Sequence, residues 1–194
     1  MTATASKIIW LIFLIMYFAL RIGPRRSSRK TPIRHSARDL REIALMVGTI
    51  TGLGIIPGIY VLTGFPEFAD YPFFPAQGYL GAALSIFVLW LFYRTHRDLG
   101  RNWSISLDVR EQHSLVTTGI YARIRHPMYT AFWLMGVVQL LLLPNWIAGP
   151  AGLVAFCVLF FGRVRREEEM MISAFGDEYR SYMRRTARII PGVY

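Results

Sequence analysis

Five apolar runs separated by basic connections constrain this chain more than any other feature of its sequence. The runs are Ile8 to Leu20, Ile43 to Leu62, Ala76 to Tyr93, Met128 to Leu143 and Ile147 to Phe161. A straight membrane span needs about 20 apolar residues, which the second and third runs provide. The other three are shorter, and we expect them to cross with help from flanking residues or a locally thinned bilayer.

These runs predict an all-α fold: a polytopic integral membrane protein with five transmembrane helices and a cytoplasmic C-terminal helical tail. The hydrophobic share of the 194 residues is 54%, above the roughly 45–50% of an ordinary soluble domain. No small-residue cleavage pattern follows the first run, which favours a retained span over a signal peptide. Residues 1–194 are therefore expected to form a single membrane domain.

The distribution of Lys and Arg predicts the orientation in the membrane. Every Lys and Arg except Lys7 lies in the connections 21–41 and 94–125 or in the tail 163–188. The connections 63–75 and 144–146 contain none. Since cationic residues stay on the cytoplasmic side during insertion, these basic segments are predicted to be cytoplasmic and the N-terminus extracytoplasmic.

The same alternation explains the net charge of +10 without nucleic acid, because anionic lipid head groups are a sufficient partner. The single cysteine, Cys157, lies inside an apolar run and has no cysteine neighbour with which to hold a metal. No glycine-rich phosphate loop follows a strand, which argues against a soluble dinucleotide-binding site. We therefore expect membrane lipids as partners, and neither nucleic acid nor a metal.

Two charged clusters stand at the mouths of apolar runs. Arg125 to Tyr129 leads into the fourth run, and Arg163 and Glu167 follow the fifth run, one helical turn apart. Charge at the end of a span marks either the water boundary or a functional site. An ordinary i,i+4 ion pair and a solvated face formed by Glu167, Glu168 and Glu169 remain alternatives for the second cluster. Both clusters are predicted to meet on the cytoplasmic side.

Several motifs fall between residue 94 and the C-terminus. They are Asp98 to Ser104, His113-Ser114-Leu115-Val116, Gly119-Ile120-Tyr121, Arg125-His126-Pro127-Met128-Tyr129, the pair Arg163 and Glu167, and Phe175 to Tyr179. Together they resemble the signature of the isoprenylcysteine carboxyl methyltransferases, a family of integral membrane enzymes. The resemblance covers about half of the chain and implies that residues 94–194 form the catalytic and cofactor-binding part, with the active site at the cytoplasmic face.

The resemblance also implies S-adenosylmethionine as the cofactor and a role for each motif. His113, Ser114, Leu115 and Val116 would line the adenosine through backbone contacts, and Tyr121 would pack on it. His126, Pro127, Met128 and Tyr129 would form the wall near the amino-acid end of the cofactor. Glu167 would pair with the cofactor ammonium, and Arg163 would be the catalytic residue that holds the substrate carboxylate. Ser106 stands where the family often has Gln, so that contact is in question.

The chemistry of the methyl acceptor separates the possible functions. A carboxylate is already ionised at neutral pH, so methylation of an isoprenylcysteine-like lipid needs alignment and desolvation rather than a base. An amine acceptor, as in a phospholipid (phosphatidylethanolamine) N-methyltransferase, needs a base, for which His126, Glu168 and Glu169 are candidates. A nicotinamide-dependent membrane reductase and a non-catalytic interaction protein are further alternatives. A lipidic substrate is expected to enter sideways, between segments such as two and four.

Overall fold

The computed structural model describes residues 1–28, 33–36, 39–100, 108–110 and 115–192. Helices dominate these residues. They are α1 (Ala3–Ser28), α2 (Leu40–Ile50), a π-helix (Thr51–Ile55), α3 (Ile56–Thr63), a 3₁₀ turn (Glu67–Ala69), α4 (Pro75–Leu99), a 3₁₀ turn (Gly119–Ala122), α5 (Pro127–Leu142), α6 (Ala151–Phe175) and α7 (Asp177–Arg185). One short antiparallel sheet, which the sequence did not indicate, pairs β1 (Ile33–Ser36) with β2 (Asp108–Arg110), and the predicted all-α class is otherwise confirmed.

Each of the five predicted segments lies wholly or mainly on helix, but among the described residues only three helical stretches are long and apolar enough to cross a membrane by themselves. These are Ala3–Gly23, Leu40–Thr63 and Pro75–Leu99. Helix α5 has 16 residues and is about 24 Å long, less than the roughly 30 Å of a bilayer core. The structure therefore supports an integral membrane protein with three clear spans among its described residues.

The fifth segment differs from its predicted bounds. Ile147 to Pro150 form a turn, and α6 begins only at Ala151. The helix then continues without a break to Phe175, past the end of the apolar run. Arg163 and Glu167 consequently lie on the same rigid helix as the apolar residues, with one continuous backbone fixing their spacing.

The two connections without Lys or Arg meet at one end of the molecule. The buried Asn145 side chain donates from Nδ2 to Pro66 O (2.8 Å) and to Asp70 Oδ1 (2.7 Å). The Trp146 backbone N–H donates to Ala69 O at 2.9 Å. These bonds join the α3–α4 and α5–α6 connections, as expected if both lie on the same side of a membrane.

A buried amide joins the π-helix to α5 in the apolar interior. Gln139 is 1% exposed, and its Nε2 donates to Gly52 O (3.0 Å) and to Ala148 O (2.6 Å). A buried amide N–H is costly unless it is hydrogen-bonded, so the bond to Gly52 holds the π-helix against α5 and the bond to Ala148 holds the turn before α6. Gly52 also lies so close to the α6 backbone that a Cβ there would meet Ala151 O.

The C-terminal tail folds back onto the start of α5. Gly176, with φ of +56°, separates α6 from α7. After α7, the backbone runs parallel to the residues before α5, with Arg125 N–H donating to Ala187 O (2.9 Å) and His126 N–H to Arg188 O (3.0 Å). This pairing places the two charged clusters of the sequence side by side.

Candidate active site

A cavity of about 920 Å³ lies between α1, α2, α5 and α6 and is bounded by the turn before α5 and by α7. Its volume is near the upper end of the range for small-molecule sites. Every predicted site residue that the structure describes lines this cavity. These residues are Leu115, Val116, Tyr121, His126, Pro127, Met128, Tyr129, Arg163 and Glu167. The predictions for Ser106, His113 and Ser114 concern residues outside the described part of the chain.

Glu167 and Tyr129 form the centre of the polar end. The Tyr129 hydroxyl donates to Glu167 Oε2, and the Tyr129 and His126 rings stack with centroids 5.3 Å apart. Arg163 Nε lies 3.9 Å from Glu167 Oε2, so the predicted i,i+4 pair is only a loose contact. The Glu167 side chain is 28% exposed and faces the cavity, where it can accept hydrogen bonds from a cation.

Arg163 makes a closer contact that the sequence did not indicate. Its Nη1 lies 3.2 Å from Oε1 of Glu42, at the start of α2, and the two side chains are 12% and 3% exposed. Breaking such a buried pair from one side leaves an uncompensated charge. Glu42 thus anchors one end of the Arg163 guanidinium behind the cavity wall.

Further contacts fasten the first turn of α2 to α6. Asp39 caps α2 by accepting from Glu42 N (2.8 Å), and its other oxygen pairs with Arg166 Nη1 at 2.7 Å. Arg41 donates to Gly162 O at 3.0 Å. The spacing of Asp39 and Glu42 is typical of a helix start, but nothing in the sequence indicates that this start packs beside Arg163.

Glu168 is buried in a cationic cluster rather than solvated. Its Oε1 accepts from Arg125 Nε (2.7 Å) and lies 3.3 Å from His126 Nε2, while its Oε2 pairs with Arg188 Nη2 at 2.7 Å. The solvated face suggested by the sequence is therefore wrong for Glu168, although Glu169 is exposed. The cluster joins α6, the start of α5 and the C-terminal tail.

The electrostatics of this cluster favour the ionised carboxylate. Burial by itself would raise the pKa of Glu168, but hydrogen bonds from His126, Arg188 and Arg125 hold that pKa well below its ordinary value of 4.5. A carboxylate bound in this way is a weak base. Glu168, one of the three candidate bases for amine methylation, is thus already paired with cations. Neither Glu168 nor Glu169 lines the cavity.

We expect Glu168→Gln to destabilise the protein by roughly 3–5 kcal/mol, because two largely buried arginines lose their counter-ion. The depressed pKa also sets the pH dependence. The stabilisation by Glu168 is complete above the unfolded pKa near 4.5 and is lost as the pH falls towards the lower folded pKa. Thermal unfolding of detergent-solubilised protein between pH 7 and pH 3 measures both effects.

The exposed neighbour Glu169 provides the control for this prediction. Glu169→Gln should leave both the midpoint and its pH dependence as in the wild type, because that side chain is exposed. If Glu168→Gln unfolds at the wild-type temperature and loses as much stability in acid as the wild type does, the cluster around Glu168 does not stabilise the fold.

The turn before α5 positions Tyr121. Gly119 has φ of +62°, and a Cβ at this position would collide with the Asp98 carboxylate, so only glycine fits without strain. Asp98 Oδ2 accepts from Ile120 N–H at 3.0 Å, and the Tyr182 hydroxyl donates to Tyr121 O at 2.7 Å. Burial raises the pKa of the Tyr121 phenol well above its ordinary value, so this wall of the cavity is uncharged.

The other end of the cavity is apolar and includes α1 and α2, which lie outside residues 94–194. Its lining residues are Leu14, Ile15, Phe18, Ile22, Met46, Ile50, Leu53, Phe132, Met135, Phe156 and Leu159. Ile15, Phe18 and Ile50 are each more than half exposed, so this end reaches the outer surface of the helices. Helix α1 packs on α4 and α5, whereas α2 packs on α6, and each contributes to the apolar wall.

No group of three or more His, Cys, Asp or Glu side chains is placed to hold a metal ion within the part of the chain that the structure describes. The polar end of the cavity instead offers the partly exposed carboxylate of Glu167, the guanidinium of Arg163 beside it and several aromatic rings. A carboxylate with aromatic faces suits an organic cation. The arrangement fits a cationic small molecule beside an apolar chain.

Comparison with known proteins supplies relatives for the second half of the chain. The model of the isoprenylcysteine carboxyl methyltransferase (ICMT) family matches residues 82–173. A protein-S-isoprenylcysteine O-methyltransferase of Schizosaccharomyces pombe is 35% identical over 81 residues, which are 42% of this chain and 34% of the relative. The enzyme of that name from Homo sapiens is 31% identical over 90 residues, which are 46% of this chain and 32% of the relative. The one from Dictyostelium discoideum is 28% identical over 146 residues, and the match covers 69% of this chain and 60% of the relative.

The fold also resembles a solved structure, that of a eukaryotic intramembrane Ras methyltransferase. The TM-score is 0.57 at 23% identity, and the match covers 81% of this chain and 55% of the other. The chain spans between about a third and three fifths of the length of the relatives above. Shared architecture extends beyond the matched motifs into the first helices.

Proposed function

We propose that this chain, whose residues 82–173 match the model of the isoprenylcysteine carboxyl methyltransferase family, is a member of that family and methylates the carboxylate of an isoprenylcysteine-like lipid with S-adenosylmethionine. The observation that carries the proposal is the two-ended cavity. Arg163, Glu167 and Tyr129 occupy its polar end, and apolar side chains of four helices form the other end. A reaction between a cationic cofactor and a lipid acid needs both environments.

Glu167 is the residue that we assign to the cofactor ammonium. The Tyr129 hydroxyl donates to one of its oxygens and so fixes the orientation of the carboxylate, which still has acceptor sites towards the cavity. Leu115 and Val116 bound the same cavity and are the described part of the adenosine segment. S-adenosylmethionine held by Glu167, Leu115 and Val116 would supply an electrophilic methyl group to the acceptor oxygen.

Arg163 is the residue that we assign to the acceptor carboxylate. A guanidinium can hold a carboxylate through two hydrogen bonds, and the contact between Glu42 and Nη1 limits how the group can turn. The acceptor is already ionised at neutral pH, so the protein has only to align it and exclude water. Amine methylation is less favoured, because Glu168 is held by cations, Glu169 lies outside the cavity, and the Nε2 of His126 is directed to Glu168 Oε1 at 3.3 Å.

The membrane arrangement is part of the same proposal. We propose that five helical segments cross the membrane and that the cavity lies at the cytoplasmic surface, with the basic connections on that side and the N-terminus opposite. The shared end of the two connections that lack Lys and Arg supports this orientation. A lipid tail would enter sideways from the bilayer, where exposed residues of α1 and α2 line the apolar end.

A methyl-transfer assay tests the proposed function. Purified protein with radiolabelled S-adenosylmethionine is offered farnesylated cysteine or phosphatidylethanolamine, and the product is treated with base. We expect label in farnesylated cysteine that is released by base, as an ester requires. Label in the phospholipid that survives base would identify the amine acceptor instead.

Ligand binding provides the second arm of this test. Calorimetry should detect S-adenosylhomocysteine and no preference for NADPH, whereas a reductase would bind NADPH. A protein that binds neither ligand and methylates neither acceptor would contradict the assignment as an enzyme of this kind.

A further inference from the structure

A second cavity, of about 630 Å³, lies between the residues that precede α5 and the C-terminal tail. Its walls are unusually rich in arginine. The five arginines that line it are Arg123, Arg125, Arg184, Arg185 and Arg188. They come from two segments that are far apart in sequence, and no Asp or Glu is among the described residues that line the cavity.

The residues that the structure describes neutralise the positive charge of this cavity only in part. Arg125 and Arg188 both pair with Glu168, which lies outside the lining. Within the described ranges, Arg123, Arg184 and Arg185 are in no ion pair. Arginines in the last turn of a helix, such as Arg184 and Arg185 in α7, are ordinarily explained by their favourable interaction with the helix dipole. That interaction does not explain why Arg123 lines the same cavity.

We propose that this cavity binds a phosphate group, as carried by the head group of an anionic phospholipid. Guanidinium groups match the geometry of phosphate oxygens and are weakly hydrated, which makes them suited to phosphate binding. The cavity begins just before Pro127, the first residue of the apolar helix α5, and the neighbouring Ile190 is 49% exposed. This position corresponds to the level of lipid head groups on the basic side of the membrane.

A phosphate group in this cavity would hold together the two segments that form it. The tail and the start of α5 already pair through Arg125 N–H and Ala187 O (2.9 Å). A ligand that binds only the folded protein raises its unfolding temperature. Binding can therefore be followed through stability, with no dependence on methyl transfer or on the proposed cofactor.

The test compares thermal unfolding of the full-length protein in detergent with added phosphatidylglycerol, phosphatidylcholine or inorganic phosphate. The cavity variant is Arg184→Gln/Arg185→Gln, and the matched control is Arg97→Gln/Arg165→Gln. All four side chains are exposed, so the two variants lose equal charge from the surface. We expect phosphatidylglycerol to raise the wild-type midpoint more than phosphatidylcholine does, and the cavity variant alone to lose most of this difference.

The inorganic phosphate arm identifies the source of the group. If inorganic phosphate raises the unfolding midpoint of the wild type but not of the cavity variant, the free anion is an occupant of the cavity. If only phosphatidylglycerol raises the midpoint, the occupant is the lipid. Equal shifts with both phospholipids that the cavity variant retains, together with no shift from inorganic phosphate, would overturn the proposal. The proposal would also be overturned if the cavity variant and the control variant lost the phosphatidylglycerol effect equally, because the effect would then depend on the overall surface charge and not on this cavity.

Discussion

Glu167→Gln is expected to weaken binding of S-adenosylhomocysteine by about tenfold to a hundredfold, as the loss of a hydrogen bond to a charged group implies. The amide retains the shape of the carboxylate but cannot neutralise an ammonium. S-adenosylhomocysteine has the ammonium and lacks the sulfonium, so calorimetry with this ligand isolates the proposed contact. Glu167 is 28% exposed, which places the expected loss towards the lower end of this range.

Two controls sharpen this prediction. Glu169→Gln removes an exposed carboxylate from the same helix and should bind the ligand as the wild type does. 5′-Methylthioadenosine has no amino-acid part, so the wild type and Glu167→Gln should bind it equally. If both ligands lose affinity to the same extent in Glu167→Gln, the carboxylate supports the cavity wall and does not hold the ammonium.

Arg163→Ala is expected to lower the rate of methyl transfer by about a hundredfold or more, while the affinity for S-adenosylhomocysteine stays near the wild-type value. The reason is that alignment of the acceptor contributes to the rate, whereas the cofactor is assigned to other side chains. Arg163→Lys retains the charge but not the two-pronged geometry, so it should recover little of the activity. Steady-state kinetics with farnesylated cysteine and calorimetry provide the two readouts.

Glu42 makes it possible to separate loss of function from loss of folding. Arg163→Ala leaves Glu42 buried without its 3.2 Å partner, which is expected to destabilise the protein. The double variant Arg163→Ala/Glu42→Gln removes both charges and should recover stability without recovering activity. If the double variant regains methyl transfer, Arg163 serves only the fold. If the affinity of Arg163→Ala for S-adenosylhomocysteine falls in parallel with its activity, the assignment of Arg163 to the acceptor and Glu167 to the cofactor is contradicted.

Glu42→Gln alone tests whether Glu42 positions Arg163. We expect a higher KM for the acceptor, unchanged affinity for S-adenosylhomocysteine, and partial recovery with Glu42→Asp. These outcomes belong to the same kinetic series, because the residue acts only through the guanidinium that it contacts.

The helices and the motif residues were largely predictable from the sequence. Apolar runs of sufficient length have few alternatives to helices in a membrane, and Pro127 and Gly176 are placed where helices begin and end. The segment bounds were less accurate, because Ile147 to Pro150 are as apolar as a helix but follow the turn fixed by Asn145. The short sheet was missed, since its strands have only four and three residues.

The sequence by itself determined which segments are apolar helices and on which side the cations lie, because length, hydropathy and charge act locally along the chain. It also placed Arg163 and Glu167 one turn apart, since a helix fixes that spacing. Only the tertiary structure decided that Glu42 pairs with Arg163, that Glu168 is buried among arginines and that α1 contributes to the cavity. These contacts join distant segments, and their identity depends on how the helices pack, which no local pattern encodes.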